Sequence, residues 1–158
     1  MATTLTEVGD CALRLERTFD ATPTELWAAL TDPAGIPEWW APAHHHPRVV
    51  EMDVRTGGAW RFELAGGNGA VFGFSGRYLR VDAPVHMQQT FVFDPFPDAA
   101  VTESFRLDDL GDGRTLLVVD VVHPSAEGRD AQVMNGIEAG TSEAHNRLQS
   151  VVAARRRS

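Results

Sequence analysis

The chain has 158 residues, 43% of them hydrophobic and 23% charged, which suits one soluble globular domain with a single core. A formal net charge of −8 would repel a phosphate backbone, so nucleic acid is not an expected partner. Cys11 is the one cysteine, which excludes an intrachain disulfide; no apolar run is long enough to span a bilayer, so a cytoplasmic setting without membrane insertion is expected.

The opening "MATTLTEVGD" has neither a basic start nor an apolar run, so a secretory signal is not expected. From Cys11 the odd positions read Cys11, Leu13, Leu15, Arg17 and Phe19, a period-two strand with one polar interruption and Cys11 as a small core side chain. "TPTELWAALTDP" then carries a helix start. Thr22 can cap, Pro23 suits the first helical position and Glu25 completes a capping box, while Leu26, Trp27 and Leu30 form a short apolar stripe. Asp32-Pro33 ends that helix and can cap a second, very short one that runs to Trp39 or Trp40.

Strands follow in close succession. "RVVEMDV" alternates, and "AWRFEL" places Trp60, Phe62 and Leu64 on one face with Arg61 and Glu63 on the other. "VFGFSGRYLRV", "MQQTFVF", "VTESFRL" and "TLLVVDVVH" read as four more, separated by the breaker clusters "AGGNG", "DAP", "DPFPDA" and "GDG". Then the period changes. Val133, Met134, Ile137, Thr141, Ala144, Leu148, Val151 and Val152 recur at helical spacing, which predicts one helix from about Arg129 to Ala154. Gly136 and Gly140 fall on or near its apolar face, each at a cost of about 1 kcal/mol against alanine; close approach of a backbone or a ligand is one reason to carry them. The arginines of the tail "RRRS" suit the negative end of its dipole.

The order is strand, two short helices, about six strands, one long helix. Tight turns imply antiparallel pairing, and the long helix must bury its stripe on the sheet, so the class is α+β. The words "ATPTELWAALTDPAGIPEWW", "DVRTGGAWRFEL", "GRYLRVDAP", "DDLGDGRTLLVVDVVH" and "GIEAGTSEAHNRLQSVV" occur in that order. This ordered set resembles the START and polyketide-cyclase (SRPBCC, helix-grip) superfamily, and within it the bacterial branch related to the Hsp ATPase activator domain. The resemblance implies a single helix-grip domain over 1–158 with its core at about 11–154. It implies a curved antiparallel sheet of six or seven strands around the C-terminal helix, and a cavity between the two. Family members often carry tryptophan after the last-helix glycine. Here "AGTSE" puts Thr141 there, which predicts a roomier or wetter interior.

Trp60, Phe62, Phe72, Phe74, Phe91, Phe93 and Phe105 all fall on apolar strand phases. With Trp40, Met134, Ile137 and Thr141 they are candidates to line such a cavity; from periodicity alone the more usual reading is that such rings fill a solid core. Glu103 shares its phase with Val101, Phe105 and Leu107. Facing inward, it would be a carboxyl of raised pKa able to act as acid, base or anchor; on an edge strand it would face solvent, and both alternatives stay open. Gln89 is in phase with Met87 and Phe91 and could orient a ligand oxygen, and His123, in phase with Val119 and Val121, is the other catalytic candidate. His145 is expected at the edge of the helix's buried stripe, with His86 and Asp120 on solvent-facing positions.

The run "WWAPAHHHP" has neither carboxylate nor cysteine support for a metal, and adjacent histidines diverge, so no metal and no cofactor is expected. It reads instead as a lid at the cavity mouth, with a tryptophan as anchor and His44, His45 and His46 as titratable edges. The expected function is binding of a small hydrophobic or aromatic molecule without catalysis, and the sequence is compatible with a homodimer. Two alternatives stay open: an enzyme of the cyclase, dehydratase or hydrolase kind that pairs Glu103 with His123 or Gln89 on polyketide-like substrates, and a chaperone-interacting module.

Overall fold

The computed structural model describes residues 2–158. The alternating segments become strands β1 (Thr4–Val8), β2 (Ala12–Phe19), β3 (Arg48–Met52), β4 (Ala59–Ala65), β5 (Val71–Asp82), β6 (His86–Phe93), β7 (Val101–Gly111) and β8 (Arg114–Val122). They form one eight-stranded sheet in the order β1-β2-β8-β7-β6-β5-β4-β3, and every neighbouring pair is antiparallel. The first long strand therefore lies beside the last. This brings Leu13 and Leu15 of β2 opposite Val121 and Val119 of β8 in a shared apolar layer.

Helix α1 (Pro23–Thr31) begins as its sequence chemistry requires. Thr22 Oγ1 accepts from the Glu25 backbone N–H at 3.2 Å, and Glu25 Oε1 accepts from the Thr22 N–H at 2.9 Å, so two otherwise orphaned donors are satisfied. Helix α2 (Ile36–Trp39) is one turn that buries Ile36 and Trp39, and a 3-10 turn follows at Ala43–His45.

The sheet has one strand more than the sequence predicts. β1 is an edge strand paired only to β2, and of its side chains only Leu5 is even partly buried, so it carries no period-two apolar signal. The predicted single C-terminal helix is two helices, α3 (Ala126–Met134) and α4 (Ile137–Arg156). They part at Gly136, whose φ of 85° and ψ of 34° lie in the left-handed region that glycine enters without steric penalty. The kink carries Met134 into solvent at 87% exposure. His86, expected to face solvent, is half-buried.

The second half of α4 buries His145, Leu148, Val151 and Val152 as it packs on β2, α1 and α2. Its last turn is tied to α1 and the following bend, through Arg156 Nε to Glu25 at 2.8 Å and Arg155 to Asp32 at 2.5 Å. Ile137, Thr141 and Ala144, on the first half, are only partly buried. Among the described residues no helix is long and apolar enough to cross a membrane.

Candidate functional site

A cavity of about 400 Å³ lies where the first half of α4 stands off the sheet. Its floor is Leu15, Phe91, Phe105, Val119 and Val121, from four adjacent strands. Its roof includes Ile137, Gly140 and Thr141 of α4, and its mouth is walled by Trp39, Trp40 and Pro42. A Cβ built on Gly140 would meet no heavy atom within 4 Å, so this glycine does not serve the close approach of another backbone.

One polar couple sits among these apolar walls. Gln89 and Glu103 are directly opposite in the β6–β7 register, and Gln89 Nε2 donates to Glu103 Oε1 at 2.9 Å. β7 lies between β6 and β8, so the edge-strand alternative for Glu103 is removed and its carboxyl points into the cavity. Burial raises its pKa from 4.5 to about 7, and the Gln89 hydrogen bond opposes that shift in part.

His145 also lines the cavity and is more deeply buried than a stripe-edge position implies. Its Nδ1 shares a 2.8 Å hydrogen bond with the Thr3 hydroxyl, and its ring meets Phe19 edge-on at 5.4 Å. Burial, with a smaller contribution from the nearby Arg17 cation, pushes its pKa down to about 4, so the ring is neutral near pH 7. Arg17 is the polar interruption noted in β2. It lies on the inward phase, donates from Nη1 to Asn146 Oδ1 at 2.5 Å and sits 4.9 Å from the Phe19 ring centre.

The other candidates divide into groups. Trp40, Gln89, Phe91, Glu103, Phe105, Ile137 and Thr141 come together around the cavity. Trp60 and Phe62 do not line it. They are buried in a ring cluster, 4.8 Å apart, and Phe74 stacks on Phe93 at 4.9 Å with Phe91 beside it at 5.6 Å. For these rings the solid-core alternative describes the packing. Trp40 joins the two regions, its ring edge-on to Phe62 at 5.1 Å and Phe74 at 5.3 Å. Phe72 is 42% exposed at the outer end of the ladder. Met134 is outside the cavity, on the exposed end of α3. His123 is outside as well: its Nε2 is hydrogen-bonded to Gln132 Oε1 of α3, so no Glu103–His123 pair is assembled.

The mouth is held by α4. Arg147 Nε donates to the Trp39 carbonyl at 3.0 Å, which fixes the end of α2 beneath the helix. The lid segment contributes Ala41 and Pro42 to the wall, whereas the three histidines lie beyond it, His44 and His46 exposed. Among the described residues no group of three or more His, Cys, Asp or Glu side chains could hold a metal ion. Leu15, Trp39 and His145 also line the cavity, which the sequence pattern does not predict. Leu15 and Trp39 carried apolar signals without a face assignment, and His145 needed the β1 segment to be placed.

The family model described as "Activator of Hsp90 ATPase homolog 1-like protein" matches residues 20–153. The chain belongs to this family. Its helix-grip architecture recurs in solved structures. A Rhodobacter sphaeroides protein is 27% identical with a TM-score of 0.85, over 96% of this chain and 98% of that one. Protein Ms6760 from Mycobacterium smegmatis is 24% identical with a TM-score of 0.82, over 96% and 98%. CalU16 from Micromonospora echinospora is 23% identical with a TM-score of 0.63, over 96% and 83%. No curated protein matches this activator-homologue-like chain.

Proposed function

We propose that this domain binds a small apolar or aromatic molecule in the cavity beneath α4 and does not transform it. The observation that supports this reading most is the lining: a hollow of about 400 Å³ with mostly apolar and aromatic walls and a hydrogen-bonded polar couple, Gln89 and Glu103, on its floor. That size and composition are those of small-molecule sites. Trp39 and Trp40 stand at the mouth, so intrinsic fluorescence reports occupancy directly. The expected result is a saturable spectral shift with small aromatic compounds and no product on prolonged incubation. Silence towards every apolar compound up to its solubility limit would refute the reading.

A specific observation favours a second reading, an enzyme of the cyclase, dehydratase or hydrolase kind. Glu103 exchanges its proton near neutral pH, as a general acid or base must. Turnover of a polyketide-like substrate that disappears in Glu103→Gln would select it. The family's name suggests a third, a module acting on a chaperone. Phe72 and Phe96 are 42% and 62% exposed on either side of Phe93, apolar surface of the kind such a contact uses. Chaperone binding lost in Phe96→Ser would select that one.

A further inference from the structure

We infer that the cavity selects guests carrying a protonated amine on an apolar, ring-sized body, with Glu103 as the anion that receives it. The inference rests on the cavity-binding reading above and adds the chemistry of the guest.

It starts from an imbalance of hydrogen-bonding groups. Glu103 Oε1 is taken by Gln89 Nε2, while Glu103 Oε2 and Gln89 Oε1 have no hydrogen-bond partner among the described residues. The couple thus offers the hollow two free acceptors. An ammonium group has three donors and no acceptor, the complement of that pair. A carboxylate guest would set its charge against that of Glu103.

Charge gives the same answer. The titratable groups lining the cavity besides Glu103 are Glu143, His145 and Arg147, all from α4. Arg147 directs its Nε to the Trp39 carbonyl at the mouth. His145 is neutral near pH 7, with Nδ1 engaged by Thr3. The lining residues of β2, β6 and β8 (Leu15, Gln89, Phe91, Val119 and Val121) bear no charge. Glu103 therefore has no counter-ion within the protein, and an unpaired buried carboxylate is costly. A guest cation supplies the ion-pair partner that Glu103 lacks. The ring systems of Trp40, Phe91 and Phe105 around the hollow suit a cation as well as an apolar body. Glu143 on the roof and the net charge of −8 draw cations toward the mouth.

The test is isothermal titration calorimetry of the full chain with three compounds of one shape: naphthylethylamine, naphthylethanol and naphthylacetate. The amine should bind about ten-fold or more tightly than the alcohol, and the acid should not bind. Glu103→Gln should remove that preference, bringing the amine's affinity down to about that of the alcohol. An independent reading comes from the unaltered protein. Amine affinity should rise about ten-fold between about pH 6 and about pH 8 as Glu103 ionises, because the amine itself stays protonated over that range. The alcohol should show no such rise. Equal affinity for amine and alcohol, or amine binding indifferent to both pH and Glu103→Gln, overturns the amine inference and leaves the cavity reading standing. Failure of all three compounds to bind overturns both.

Discussion

Replacing Glu103 with glutamine should stabilise the empty protein, and only above the acid range. The isosteric amide keeps the volume of the side chain, and its Oε1 can still accept from Gln89 Nε2. The folded protein holds the Glu103 carboxyl at about 7 against an ordinary 4.5. A folded-state pKa raised in this way means that Glu103 contributes fully below about 4.5, and that the contribution is lost as pH rises through about 7. The gap corresponds to about 3 kcal/mol at most, and water entering the cavity reduces it, so about 1–3 kcal/mol is expected at about pH 8. His145 acts in the opposite sense. Its pKa is depressed from 6.5 to about 4, so its contribution is full above 6.5 and lost as pH falls through about 4. In the unaltered protein the two slopes offset each other between about 4.5 and 6.5. In Glu103→Gln the His145 slope is no longer opposed, and stability should climb with pH over that range. Urea denaturation at about pH 4.5 and about pH 8 measures the difference, which corresponds to about 3–10 °C in melting temperature for a domain of this size. A variant no more stable than the parent at the higher pH, or equally stabilised at both, would refute a carboxyl buried in a low-dielectric hollow.

Thr141→Trp should fill the space beneath α4 and abolish binding of naphthyl probes while the far-ultraviolet circular dichroism stays that of the parent; retained binding would place the guest elsewhere. Gly140→Ala should stabilise by about 0.5–1 kcal/mol, since a Cβ there meets nothing within 4 Å and the helix gains alanine's propensity; a loss in urea midpoint would mean that the space beside Gly140 is too tight for a methyl group. Thr3→Val should cost about 1–2 kcal/mol at neutral pH, because it leaves buried His145 Nδ1 without its 2.8 Å partner. An unchanged midpoint would show that the N-terminal segment does not hold that ring.

Legibility followed the range over which each interaction acts. The α1 capping box involves residues three apart, and Thr22 and Glu25 could be read directly. The strands from β2 to β8 announced themselves by alternation, whereas β1 did not, because an edge strand that partly buries only Leu5 needs no apolar period. Phase put Glu103 with Phe105 and Leu107, but the phase does not say which face is inside. That depended on β8 crossing back to lie between β2 and β7, a pairing between residues about a hundred positions apart. The cavity depends on a distance that the pattern does not encode. Ile137, Thr141, Ala144, Leu148, Val151 and Val152 make one continuous stripe by spacing, yet its C-terminal half is buried and its N-terminal half only partly so. The difference begins at Gly136, where the chain turns before α4 starts, and is maintained at the mouth, where Arg147 ties α4 to the Trp39 carbonyl. With α4 pinned at that point and along its C-terminal half, the turns before Arg147 can approach the sheet only as closely as Trp39, Trp40 and Pro42 allow. The hollow thus follows from where the helix is anchored, and a hydrophobic period alone cannot distinguish a helix lying flat on its sheet from one held above it.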